Sequence, residues 1–197
     1  MNGLRANTVI SGSKDTCGDK VTLGIITVSD RASTGEYADE GGPAILQFFE
    51  EALASPADII YRCIPDELSI IEQTLIELSD DIGCDVVVTT GGTGPSKRDV
   101  TPEATISVCD RILDGFGEQM RAISLEFVPT AILSRQVGGT RGGCLIFNLP
   151  GRPKAIRETI DKIWQAVPYC VDLLGGSYMD MNDEICNAFR PKNARRR

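Results

Sequence analysis

The sequence predicts an α/β domain with a parallel sheet at its centre. Three observations carry that expectation. Strand-like and helix-like segments alternate from Val21 onward. The run VVV at 86–88 is continuously apolar, as in a strand covered on both faces. Glycine-rich turns punctuate the strand ends. At 197 residues and 42% apolar composition, the chain suits one large domain able to bury a sizeable core.

In chain order, residues 1–20 are polar and aperiodic and are expected to form a flexible extension, leaving 21–197 as a single domain with a basic tail. VTLGIITVS (21–29) predicts a buried strand, and 30–42 a loop long enough to be functional. A helix is expected at about 43–54, and ADIIYRCI (57–64) predicts the second strand, ended by Pro65. Leu68, Ile71, Leu75 and Leu78 then recur at helical spacing and give one apolar stripe. CDVVVTT (84–90) is the third strand. A helix opens at Thr101, and another at about 117–127 carries Met120, Ile123 and Phe127 before Pro129 stops it. CLIFNL (144–149) predicts a buried strand between glycine turns, and Ile156, Ile160, Ile163 and Val167 line a last amphipathic helix.

The most informative segment is TTGGTGPSKRDVTPEAT, 89–105. Lacking Cβ atoms, Gly91, Gly92 and Gly94 can take positive φ and turn consecutive amides toward one anion, and the helix that follows adds the positive end of its dipole. Thr101 is predicted as the cap of that helix, Pro102 as its first residue and Glu103 as an acid in its first turn. Lys97 and Arg98 supply mobile cations, and Asp99 a carboxylate able to hold a divalent metal against a phosphate. The turn is neither GxGxxG nor GxxxxGK[ST], so neither a Rossmann nor a P-loop assignment follows. An ordinary strand-to-helix turn accounts for GGTG alone, and a solvated loop for its charges.

Composition restricts the chemistry. The chain has no histidine, which excludes Ser-His-Asp and Cys-His nucleophilic catalysis, histidine-bound zinc and imidazole acid/base work. What remains is carboxylates, metal, backbone dipoles and Arg/Lys, a set suited to phosphoryl or nucleotidyl transfer. The seven cysteines contain no CxxC pair, and the default reading is small buried hydrophobes in a reducing compartment. There is no leader-like apolar run and no stretch of membrane-spanning length, so a cytoplasmic, soluble protein with no membrane partner is expected. The net charge of −8 argues against general nucleic-acid binding, although five cations fall in the last eight residues.

In a parallel sheet ligands bind where strand carboxyl ends open onto loops, and SDRAS, PDE, GGTGPSKRD and NLPGRP all fall there. Each has a bland reading beside the functional one. Asp66 serves equally as a helix N-cap, Asp30 as a turn acid, Asn148, Pro150 and Gly151 as a strand-exit turn, and Ser134, Arg135 and Arg141 as surface polar residues.

Taken together, ITVSDRAS, IPDE, TTGGTG…RDVTPEAT, GFGEQMR, LSRQVG and NLPG, in that order, resemble the molybdenum-cofactor biosynthesis (MoaB/Mog) domain family, in its Mog-type adenylyltransferase branch. The similarity runs from about Val21 to Arg195. It implies a three-layer α/β/α domain with a mostly parallel central sheet, assembled as a homotrimer. The implied reaction transfers AMP from Mg-ATP to the terminal phosphate of molybdopterin and releases pyrophosphate, with a metal-insertion protein as possible partner. By resemblance, Asp66 and Asp99 would assist Mg²⁺ and catalysis, and Gly91, Gly92, Thr93 and Gly94 would cradle nucleotide phosphates. Ser29, Asp30, Asn148, Pro150 and Gly151 would line the same cleft, and Ser134 and Arg135 would lie on the pterin side. A non-catalytic molybdopterin carrier is the alternative.

Overall fold

The computed structural model describes residues 8–12, 19–192 and 194. The strands are β1 (Thr8–Gly12), β2 (Val21–Val28), β3 (Ala57–Ile64), β4 (Val86–Thr90), β5 (Arg111–Ile112), β6 (Gly138–Arg141) and β7 (Cys144–Leu149). The helices are α1 (Asp30–Ser33), α2 (Gly41–Ala52), α3 (Leu68–Ile76), α4 (Thr101–Val108), α5 (Asp114–Leu125), α6 (Pro153–Ile163) and α7 (Val167–Leu174). The strands form one sheet in the order β1-β3-β2-β4-β7-β6-β5. Its centre, β3-β2-β4-β7, is parallel, and antiparallel strands close both sides.

Alternation along the strands divides the core into two layers. Leu23, Ile25, Val86, Val88, Leu145 and Phe147 face α2, α5, α6 and α7, while Ile26, Val28, Val87 and Ile146 face α3 and α4. The first layer is anchored by Trp164, wholly buried, with its ring 5.4 Å from Phe48 and 5.0 Å from Phe49. This is the three-layer α/β/α arrangement, and it follows from strands apolar on both faces that need helices on each.

The connectivity positions a cleft. From β2 the chain crosses one face through α2 to β3, then returns over the other face through α3 to β4. Consecutive connections therefore diverge between β2 and β4, and such a switch point leaves a crevice at the strand carboxyl ends.

Some elements depart from expectation. Thr8–Gly12, placed by sequence in the flexible extension, pairs antiparallel with β3 from Thr8↔Tyr61 to Gly12↔Ala57. Its β-branched TVI satisfies the sheet edge despite the polar residues around it, while 1–7 and 13–18 lie outside the described residues. β5 and β6 were hidden in short, glycine-rich sequence. The helices at 43–54 and 117–127 start earlier, at Gly41 and Asp114, and Pro129 opens a 3-10 turn (Pro129–Leu133) rather than an irregular break. The strand cysteines are packing residues: Cys84 and Cys144 are buried, and burial pushes the Cys144 thiol up to about 12.

One polar group is buried at the sheet's centre. Asn148, on β7, is fully inaccessible and donates to Thr89 Oγ1 (3.0 Å) and Thr105 Oγ1 (2.9 Å), while its Oδ1 accepts the Val137 amide (3.3 Å). It bolts β4, β7, α4 and the segment entering β6 together. Asn148→Ala would strand these partners, and urea unfolding should show a loss of about 2 to 4 kcal/mol.

Candidate active site

The parallel strands end level. Thr27 pairs with Thr90 and Thr90 with Leu149, while Val28 pairs with Ile64, so the loops after β2, β3, β4 and β7 open on one rim. Between them lies a cleft of about 670 Å³, within the range of small-molecule sites. Ser29, Asp30, Asp66, Gly91, Gly92, Asp99 and Gly151 line it, joined by Arg31, Tyr37, Asp39 and Arg152. Asp66 and Asp99, distant in sequence, thus share one cavity.

The GGTG turn is held from behind. Thr101 Oγ1 donates to the Gly91 carbonyl (3.0 Å) and Thr101 N–H to that of Gly92 (3.2 Å); Arg135 N–H donates to Thr93 (3.0 Å) and Arg135 Nε to Gly94 (2.8 Å). In a trans peptide the N–H points opposite to the C=O. Fixing these carbonyls toward α4 and Arg135 therefore aims the three amides that follow the first three of them, those of Gly92, Thr93 and Gly94, away from those anchors, as an anion nest requires, while Pro95 after Gly94 has no N–H to add. Gly91 and Gly92 adopt φ of 97° and 62°, and a Cβ on Gly91 would lie 2.2 Å from the Val28 carbonyl oxygen. Gly94 does not share the positive φ expected of it; instead the Asp99 carboxylate occupies the space a side chain would need.

Thr101 also departs from its predicted role. It is the first residue of α4, Val100 holds the cap position, and Pro102 follows one place later than expected. The hydroxyl is used as a donor to Gly91 rather than as a cap acceptor. Nor does Asp66 cap α3, since Glu67 occupies that position without a side-chain bond.

Asp66 is instead locked to Asp30. Asp30 N–H donates to Asp66 Oδ2 (2.8 Å), and Asp66 N–H to Asp30 Oδ1 (3.0 Å). Arg98 then grips Asp30 through Nε (3.2 Å) and Nη2 (2.9 Å) and reaches Glu67 through Nη1 (2.8 Å), tying three strand-exit loops together. The Arg98 guanidinium, aided by the Asp66 amide, holds the Asp30 carboxyl below the usual range. Burial pushes the Asp66 carboxyl up, and the charges of Asp30 and Asp99 add to that push, against the pull of the Asp30 amide. Asp99 Oδ2 accepts the Ser96 amide (3.0 Å). In both Asp66 and Asp99 the second oxygen accepts no hydrogen bond from a described residue, leaving it available to a cation.

Other predicted residues lie elsewhere. The Asn148 side chain is buried within the sheet and does not line the cleft. Pro150 contributes only its carbonyl, which accepts Thr90 Oγ1 (2.7 Å). Thr93 and Gly94 face the Arg135 side. Ser134 hydrogen-bonds Gln136 Oε1 (2.6 Å), and Arg135 also pairs with Glu103 and the Asp99 carbonyl, so both sit behind the GGTG turn. Arg141 pairs with Asp80 at the other end of the strands. Sequence reasoning missed Asp39, which accepts Thr27 Oγ1 (2.9 Å), Tyr61 Oη (2.7 Å) and the amides of Gly41 (2.9 Å) and Gly42 (3.0 Å). An acid two residues before a GG helix start was the available signal.

Two outcomes follow from this geometry. Gly91→Ala forces a side chain into Val28 and should cost about 2 kcal/mol or more in urea unfolding. Asp66 retains its proton in the folded state at pH values where the unfolded chain, near 3.8, has lost it, so ionised Asp66 opposes folding above that window. Asp66→Asn should therefore raise the urea midpoint at pH 7, with the gain vanishing below pH 3.8.

A sequence profile described as "Probable molybdopterin binding domain" matches residues 24–169. The chain is 56% identical over 186 residues to the molybdopterin adenylyltransferase of Haemophilus influenzae, covering 88% of this chain and 94% of that one. It is 52% identical over 172 residues to that of Helicobacter pylori, covering 87% and 98%. Among solved structures it is similar to the molybdopterin biosynthesis enzyme MoaB of Thermus thermophilus, with 39% identity, TM-score 0.71 and coverage of 78% and 96%. It is also similar to the tungsten cofactor synthesizing protein MoaB of Pyrococcus furiosus, with 34% identity, TM-score 0.68 and coverage of 79% and 97%. With the profile spanning most of the sheet and every loop of the cleft, the chain belongs to the molybdopterin binding domain family.

Proposed function

We propose that the protein is a molybdopterin adenylyltransferase, a nucleotidyltransferase that moves AMP from ATP to the terminal phosphate of molybdopterin in molybdenum cofactor biosynthesis. The observation that carries this reading is the convergence of Asp66 and Asp99 with the Gly91–Gly92 turn in one cleft, in a chain more than half identical to relatives bearing that name. A phosphate oxygen of molybdopterin attacks the α-phosphorus of ATP. A new P–O bond forms as the bond to the α–β bridging oxygen breaks, and pyrophosphate leaves. The nucleophile is already ionised at neutral pH, so a histidine-free site has no proton to remove.

The GGTG amides stabilise phosphate charge with dipoles fixed before substrate arrives. Mg²⁺, where bound, would neutralise phosphate charge, and the free oxygens of Asp66 and Asp99 suit such a hard cation, which takes one or two carboxylates together with phosphate oxygens and water. Asp30, committed to Arg98, holds the Asp66 loop instead. The carrier reading is weaker, because binding a pterin phosphate alone gives no use to two acids that repel it.

The finer assignments are also proposals. A homotrimer is supported by exposed apolar residues at the end of α5 and just after it, namely Leu125, Phe127, Val128, Ile132 and Leu133. A cytoplasmic location is supported by free cysteines, and no helix among the described residues is long and apolar enough to cross a membrane. A metal-insertion protein would consume the adenylylated product.

Incubating the protein with molybdopterin, ATP and Mg²⁺ should yield adenylylated pterin and pyrophosphate; pterin binding without turnover would defeat the proposal. Asp66→Ala and Asp99→Ala should each lower kcat by about a hundredfold or more with a much smaller change in pterin affinity, as expected of charge that matters most in the transition state.

A further inference from the structure

The cleft is mostly polar. Apart from Val28 and Pro153 its lining is largely carboxylate, guanidinium, hydroxyl or glycine backbone, and Tyr37 is its only aromatic side chain among the described residues. Tyr37 is 45% exposed. Its hydroxyl hydrogen-bonds Ser29 Oγ (3.1 Å), which itself caps α1 by accepting the Ala32 amide (3.3 Å). The Arg31 guanidinium lies over the ring, 5.1 Å from its centre. One face is thus covered by a cation, and the aromatic group is presented at the β2 side of the cleft.

We infer that Tyr37 is the stacking platform for the nucleobase of the bound nucleotide and a determinant of base preference. This rests on the reading of the cleft as an adenylyltransferase site and assigns the end of it that the phosphate-binding turn does not explain. The sheet order supplies the direction. β2, which leads into the Tyr37 loop, and the segment carrying Ser134 and Arg135, which enters β6, lie on opposite sides of β4 and its GGTG turn. With phosphates at the turn, a planar base extending toward β2 meets Tyr37, whereas one extending the other way meets Ser134 and Arg135, which lie outside this cavity. Stacking needs only a π-face and tolerates any base, with larger purine rings gaining more than pyrimidines. The ring requires no rearrangement beyond the incoming base, because Ser29 and Arg31 already hold it.

The test is calorimetric titration of the full chain with ATP, CTP and inorganic tripolyphosphate, each with Mg²⁺, for wild type, Tyr37→Phe and Tyr37→Ala. Tyr37→Phe keeps the ring and should bind ATP within about twofold of wild type. Tyr37→Ala should weaken ATP by about tenfold or more, the loss of one base–aromatic stack, shrink the preference for ATP over CTP, and leave tripolyphosphate unchanged. Equal ATP affinity in the alanine variant, or an equal loss for tripolyphosphate and ATP, overturns the stacking role while leaving the adenylyltransferase reading intact. A wild-type protein that binds tripolyphosphate but not ATP overturns both.

Discussion

The cleft depends on four carbonyl oxygens that face away from it. Those of Gly91, Gly92, Thr93 and Gly94 are taken up by Thr101 and Arg135, and peptide planarity converts the first three of these anchorings into a row of three amides, those of Gly92, Thr93 and Gly94, on the other side. Positive φ at Gly91 and Gly92 makes the conformation accessible; the anchors make it permanent. Dipoles fixed this way would need little further ordering if an anion arrived, which is what distinguishes a braced turn from a mobile loop of similar composition.

Around that turn the protein carries more negative charge than folding alone would favour. Asp30 and Asp99 lie close enough to Asp66 to disfavour its ionisation, and among the described residues it is Asp30, not Asp66, that is paired with an arginine side chain. The reciprocal Asp30–Asp66 bonds hold the two loops in register while leaving an oxygen of Asp66 uncommitted. Residual repulsion of this kind is a reservoir that a bound cation would relieve, so the feature that weakens the empty fold would strengthen a loaded one.

Much of this was legible in the sequence, for identifiable reasons. The parallel centre of the sheet could be read from VVV and CLIFNL because burial on both faces leaves no polar alternation. The loops of the cleft were legible because strand ends fix where they open, and Asp66 and Asp99 stood in them. The edges were not: Thr8–Gly12 has only its short TVI run among polar residues, Arg111–Ile112 and Gly138–Arg141 have less, and each becomes a strand because a neighbouring strand presents unpaired backbone, a tertiary cause. Asn148 was misread for a similar reason. A strand-exit NLPG looks like a turn, and only the arrival of Thr89, Thr105 and Val137 turns its amide into a buried junction. Arg98 read as a mobile cation and Arg135 as a surface residue because their partners lie 68 and 41 positions away, at Asp30 and Gly94.

The Arg135 brace bears on synthesis at the ribosome. The glycine turn and both acids have all been joined to the chain once Asp99 is made, yet two of the four anchors belong to Arg135, which follows much later. A chain stopped before that point contains the turn and the acids but lacks both the backing that orients the turn and the Gly151–Arg152 rim of the cleft. The complete cleft therefore arises only when β6 and β7 join the sheet, so its first-made motifs wait on the last-made strands for their final shape.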